Sequence, residues 1–135
     1  MKFNHDIINE ALDSYIETAL WSSSDESDDS GGDPMDKNYG PGDIAPETLR
    51  EMRKDVRDFL VTNAEHILNA EVNEGNWSRW ARAGHDFWLT RNGHGAGFWD
   101  GDWMPRSIGE ALTKASKGYG GVYMYVGDNG KIYGS

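Results

Sequence analysis

Ile8, Leu12, Tyr15, Ile16 and Ala19 stand at i, i+4, i+7, i+8 and i+11. That is one stripe of a 3.6-residue period and predicts a helix over 6–21. Asn4 or Asp6 can cap its start with a side-chain oxygen. Leu49, Met52, Val56, Phe59, Leu60, Ile67 and Leu68 form a second stripe, predicting a helix over 46–68. Its other face is Arg50, Glu51, Arg53, Lys54, Arg57 and Asp58. Pro46 suits the first turn, and Glu47 lies where the helix dipole favours a negative charge. Two helices with one apolar stripe each need a common surface to cover.

Downstream the pattern changes. Residues 85–90 (HDFWLT) have strand character, Asn92-Gly93 is a hairpin signal, and 96–100 (AGFWD) returns as a partner strand. Residues 108–117 predict a short helix, with Ser107 as N-cap, Glu110 completing a capping box and Gly118 as stop. Residues 121–126 alternate aliphatic side chains with tyrosine, 127–130 turn, and 131–134 close a second hairpin. The expected fold is α+β: two N-terminal helices packed on an antiparallel sheet of two β-hairpins joined by a short helix. Residues 22–42 are rich in Ser, Gly and Asp and lack periodicity, which predicts a mobile acidic loop within a single domain spanning 1–135.

Charge sharpens this picture. The chain has 135 residues, 23 of them acidic and 13 basic, a formal net charge of −10. Residues 1–60 hold 15 acidic and 6 basic side chains, and the remainder hold 8 and 7. The negative charge therefore belongs to the N-terminal half, densest at Asp25, Glu26, Asp28, Asp29, Asp33 and Asp36. Duplex nucleic acid is disfavoured as a partner, because its affinity comes from Lys and Arg neutralising phosphates. An acidic surface facing a basic protein fits the same charge. The absence of Cys excludes disulfides, thiolate metal sites and cysteine catalysis. The apolar runs are too short to span a membrane, and the N-terminus lacks the apolar core of a signal peptide, so the expected location is cytoplasmic.

Candidate chemistry concentrates in 84–102, GHDFWLTRNGHGAGFWDGD. His85 or His94 could act as a base or metal ligand oriented by Asp86, Asp100 or Asp102. The alternative is a stable hairpin with aromatic cross-strand pairs and His94 at the tip. No H-x-x-x-H or H-x-E zinc spacing and no G-x-S-x-G elbow is present. Gly93-x-Gly95-x-Gly97 lacks the following helix that would hold a phosphate. Asp25, Asp29, Asp33 and Asp36 offer oxygens for calcium, without EF-hand spacing. Trp77, Trp80, Trp88, Trp99 and Trp103 with Arg79, Arg82 and Arg91 could stack single-stranded bases, or else form core and rim. The hairpin-centred binding set is His85, Asp86, Trp88, Arg91, Asn92, His94 and Trp99. No cofactor, metal ligand or catalytic residue is assigned.

At residues 84–100 the chain resembles a family of small acidic proteins encoded by bacteriophages and prophages. The resemblance extends through Ala19-Leu20-Trp21-Ser22-Ser23, Asn38-Tyr39, Asp43-Ile44-Ala45-Pro46-Glu47-Thr48-Leu49 and Tyr125-Val126-Gly127-Asp128-Asn129-Gly130-Lys131-Ile132-Tyr133. The chain departs from it in extra Ser-Asp-Gly length between Trp21 and Asn38. The resemblance implies expression in an infected bacterial cytoplasm and carries over no catalytic residue. The expected function is a non-enzymatic protein that binds a host protein with a basic surface, as a defence inhibitor or host-takeover factor. The alternatives are a single-stranded nucleic-acid or nucleotide-binding module built on 77–103, and a small hydrolase with a His85/Asp86 site.

Overall fold

The computed structural model describes residues 4–26, 32–72, 75 and 77–135. The first helix, α1 (His5–Ser22), begins where the Asn4 side chain accepts a hydrogen bond from the Ile7 N–H at 2.9 Å. It buries Ile8, Ala11, Leu12, Tyr15, Ile16, Ala19 and Leu20, so its apolar stripe is wide and α1 lies at the centre of the molecule. The second expected helix is two. α2 (Pro46–Thr62) ends at Asn63, whose side-chain and backbone nitrogens both donate to the Phe59 carbonyl, and α3 (Ala64–Asn69) restarts from that residue.

Residues 22–42 do bury something, contrary to the reading of an aperiodic loop. β1 (Ser24–Asp25) pairs antiparallel with β2 (Asp33–Pro34), and a 3-10 turn follows at Met35–Lys37. Met35 is fully buried against α1, and its N–H donates to the Ser23 carbonyl at 2.9 Å. A single methionine plug gives no periodic signal. Asp28 and Asp29 lie outside the described residues.

The main correction concerns residues 85–100. They form no hairpin: α4 (Arg79–Arg91) is a helix, and 96–100 is loop. Ser78 caps α4 by accepting from the Ala81 N–H at 3.0 Å. Ala83, Gly84, Phe87, Trp88 and Arg91 are buried at helical spacing. A six-residue apolar window does not distinguish strand from helix; only the stretch back to Ser78 does. Asn92-Gly93 is a helix stop. Gly93 has φ +71°, its N–H donates to the Thr90 carbonyl, and the His94 N–H donates to the Leu89 carbonyl. This is the Schellman pattern, which requires the same left-handed glycine that a tight hairpin does.

After α4 the chain loops back, and the Phe98 N–H donates to Thr90 Oγ1 at 3.1 Å, dropping the Phe98 ring into the core. Phe59 stacks on Phe87 at 4.2 Å between centroids and meets Phe98 at 5.6 Å, and Phe98 meets Trp103 edge-on at 5.1 Å. The described sheets are all two-stranded and antiparallel, in place of one four-stranded sheet. β3 (Glu71–Val72) pairs with β4 (Trp103–Met104), while β5 (Met124–Val126) pairs with β6 (Ile132–Gly134) through the expected 127–130 turn. Between them α5 (Arg106–Lys117) starts earlier than expected. Pro105 occupies its N-cap without a side-chain cap, and Glu110 pairs with Arg106 at 3.2 Å, so Ser107 forms no capping box. The architecture is thus mixed helix and strand, with five α-helices and three small sheets in the described residues. No helix among them is long and apolar enough to cross a membrane.

Candidate binding site

α1 exposes few side chains, and between His5 and Trp21 the exposed ones are all acidic. Asp6, Glu10, Asp13 and Glu17 follow each other at steps of four, three and four residues, and Trp21 comes four later. These spacings put all five on one helical face. No ion pair among the described residues engages any of the four carboxylates. The face is flanked by two cavities that share Asp13 and Glu17. One, about 440 Å³, is lined by Glu10, Asp13, Ser14, Glu17, Trp77, Ser78 and Ala81. The other, about 370 Å³, is lined by Asp13, Ile16, Glu17, Leu20, Asp36, Tyr39, Gly40 and Pro41. The 3-10 turn anchored by Met35 is what brings Asp36 to α1.

The expected acidic set therefore divides. Asp36 joins the α1 face. Asp33 is exposed and pairs with Lys37 at 3.3 Å. Asp25 sits opposite Asp33 in the β1–β2 register. Glu26 faces the other way, accepting from the Tyr123 hydroxyl at 3.2 Å; that bond and the Glu26 charge push the Tyr123 phenol above its usual value. Glu10, Asp13 and Glu17 leave no mark in the apolar pattern that predicts α1. The same 3-and-4 spacing applied to its carboxylates finds them.

α4 divides the second expected set between the core and separate parts of the surface. Trp88 is 1% exposed and its indole N–H donates to Ser22 Oγ at 2.8 Å. Arg91 is buried: it donates to the carbonyls of Gly120 and Tyr119, to the Tyr15 hydroxyl at 3.0 Å and to Asp55 at 2.9 Å. Asn92 bridges the end of α4 to the C-terminal hairpin, donating to Trp88 O and accepting from the Val122 N–H. All three hold the fold, and Trp88 and Asn92 also line, with His94, one cavity of about 290 Å³. Burial pushes the Tyr15 phenol up to about 12 although Arg91 opposes the shift. His94 and Trp99 are exposed on different cavities, His94 beside Tyr123 and Glu26, Trp99 beside Met104 and Arg106.

His85 and Asp86 do meet. His85 Nδ1 lies 2.7 Å from Asp86 Oδ1, and Trp103 Nε1 donates to Asp86 Oδ2 at 2.7 Å, with Asp86 only 1% exposed. Trp77 contacts the His85 ring edge-on at 5.0 Å and Trp21 lies 6.3 Å from it. The Asp100 carboxylate accepts from the Gly97 and Asp102 N–H groups, and the Asp102 carboxyl, pushed above its usual value by burial and by Asp100, lies within reach of the Arg82 and Asp86 charges. Neither His85 nor Asp86 lines the cavities beside α1, His94 or Trp99. No group of three or more His, Asp or Glu side chains suited to a metal occurs among the described residues. Comparison with protein-family models, with curated proteins and with solved structures gave no match.

Proposed function

We propose that this is a binding protein that docks on a basic segment of a protein partner through the exposed face of α1. The observation that carries this reading is the row Asp6–Glu10–Asp13–Glu17, extended by Asp36 and bounded by Trp21, Trp77 and Tyr39. Unpaired carboxylates raise the encounter rate with a cationic partner, and aromatic walls supply contact area at small entropic cost. A host protein of an infected bacterium, as a phage-encoded protein would meet, is the partner this reading takes from the family resemblance. The expected signature is retention of a protein from nuclease-treated bacterial lysate, weakening as salt rises. Glu10→Gln/Asp13→Asn/Glu17→Gln should abolish it, while Asp25→Asn/Glu26→Gln should not. Retention of nucleic acid alone, or retention indifferent to the triple change, would overturn the reading.

The His85–Asp86 contact supports a second reading. A carboxylate fixed by Trp103 and holding imidazole Nδ1 is the arrangement that orients a general base. Turnover of a hydrolysable substrate, lost on His85→Ala with the fold retained, would favour hydrolysis over simple docking.

A further inference from the structure

We infer that the cavity beside α1 is a subsite for one alkylammonium group, the side chain of a lysine on the partner. The inference rests on the reading of α1 as the docking face. Its independent support is the Ser14 hydroxyl. Ser14 lines this cavity, is only 5% exposed, and its Oγ has no hydrogen-bond partner among the described residues. A buried polar group is normally satisfied, so an orphan at a cavity wall points to a ligand group that completes it. Glu10 and Glu17 lie one turn either side of Ser14, at i−4 and i+3, and Asp13 is its neighbour. A cation entering here meets carboxylates at the rim and a hydroxyl acceptor below.

The shape favours lysine over arginine. An ammonium is compact and directs three donors in different directions, which suits acceptors spread around a cavity, whereas guanidinium needs a planar, two-pronged acceptor. Trp77 forms the remaining wall, and the Arg82 guanidinium already lies over its ring, 5.3 Å from the centroid. The indole therefore offers the incoming group area for a methylene stem more than a seat for a second guanidinium.

The test uses the full chain with oligolysine and oligoarginine of equal length, followed by calorimetry and by thermal melts of each variant. Oligolysine should bind more tightly. Ser14→Ala should weaken oligolysine about tenfold, the scale of one hydrogen bond to a charged group, and leave oligoarginine unchanged. The variant's melting temperature should not fall, because the hydroxyl has no partner to lose among the described residues. Equal affinity for the two oligomers, or equal weakening by Ser14→Ala, would overturn the subsite while the acidic docking face stands. Binding of both oligomers unaffected by Glu10→Gln/Asp13→Asn/Glu17→Gln would overturn the docking face itself.

Discussion

Gly84 leaves no room for a methyl group: a Cβ there would lie 2.0 Å from the Ala11 carbonyl oxygen, where α4 packs on α1. Helix propensity alone would make Gly84→Ala stabilising by up to about 1 kcal/mol. The clash with backbone, which cannot rotate away, should win, and we expect a net loss of ~2 kcal/mol in urea melts. Tyr15 gives a different residue-scale expectation. Its phenol has an ordinary value of 10.0 and is pushed up to about 12 in the folded protein, so the folded state holds its proton more tightly than the unfolded chain does. The resulting stabilisation is fully present below pH 10 and is lost as pH rises through about 12. It amounts to roughly 2–3 kcal/mol. Tyr15→Phe should remove that part of the alkaline loss. Comparing denaturant midpoints of the two proteins from pH 9 upward isolates it from the titration of lysines, which both share.

At the scale of elements, α4 turns on how it stops. Gly93 at φ +71° allows the two closing hydrogen bonds from Gly93 and His94, so Gly93→Ala should cost about 1–2 kcal/mol. In hydrogen exchange, amides of 83–91 should behave as one protected block with α1, and the Met35 amide should be slower than those of its exposed neighbours. Exchange in which alternate amides of 85–90 are protected would instead restore a strand. These elements also show where sequence pattern is legible. α1, α2 and the β5–β6 hairpin were readable because apolar repeats or alternation ran through them. α4 was not, because Phe87, Trp88 and Thr90 favour strands in isolation, and Asn92-Gly93 signals a left-handed residue without saying which element needs it. β3–β4 and the Met35 plug were invisible, since two-residue strands and single buried side chains leave no period. The burial of Trp88 and Arg91 followed from the helix, so misreading the element misread the site.

For the whole molecule, the decisive feature is where like charges are tolerated. The chain carries a net charge of −10, yet α1 adds three like-charged pairs at helical spacing: Asp6–Glu10, Glu10–Asp13 and Asp13–Glu17. Pairs of this kind destabilise a helix by about 0.2–0.5 kcal/mol each, and the last turn of α1 holds no basic residue to offset them. Burial of Tyr15, Leu12 and Ile16 on the opposite face is what keeps α1 folded despite this repulsion. Glu10→Gln/Asp13→Asn/Glu17→Gln should therefore raise stability by roughly 1 kcal/mol at low ionic strength. The gain should shrink in about 0.5 M salt, where screening has already weakened the repulsion. Urea melts of both proteins at the two ionic strengths measure it. A face that strains the free protein but gains affinity for a cationic partner is the pattern expected of a docking surface. Should the triple change lower stability at both ionic strengths, the carboxylates would be holding the fold, and the docking reading would lose its main support.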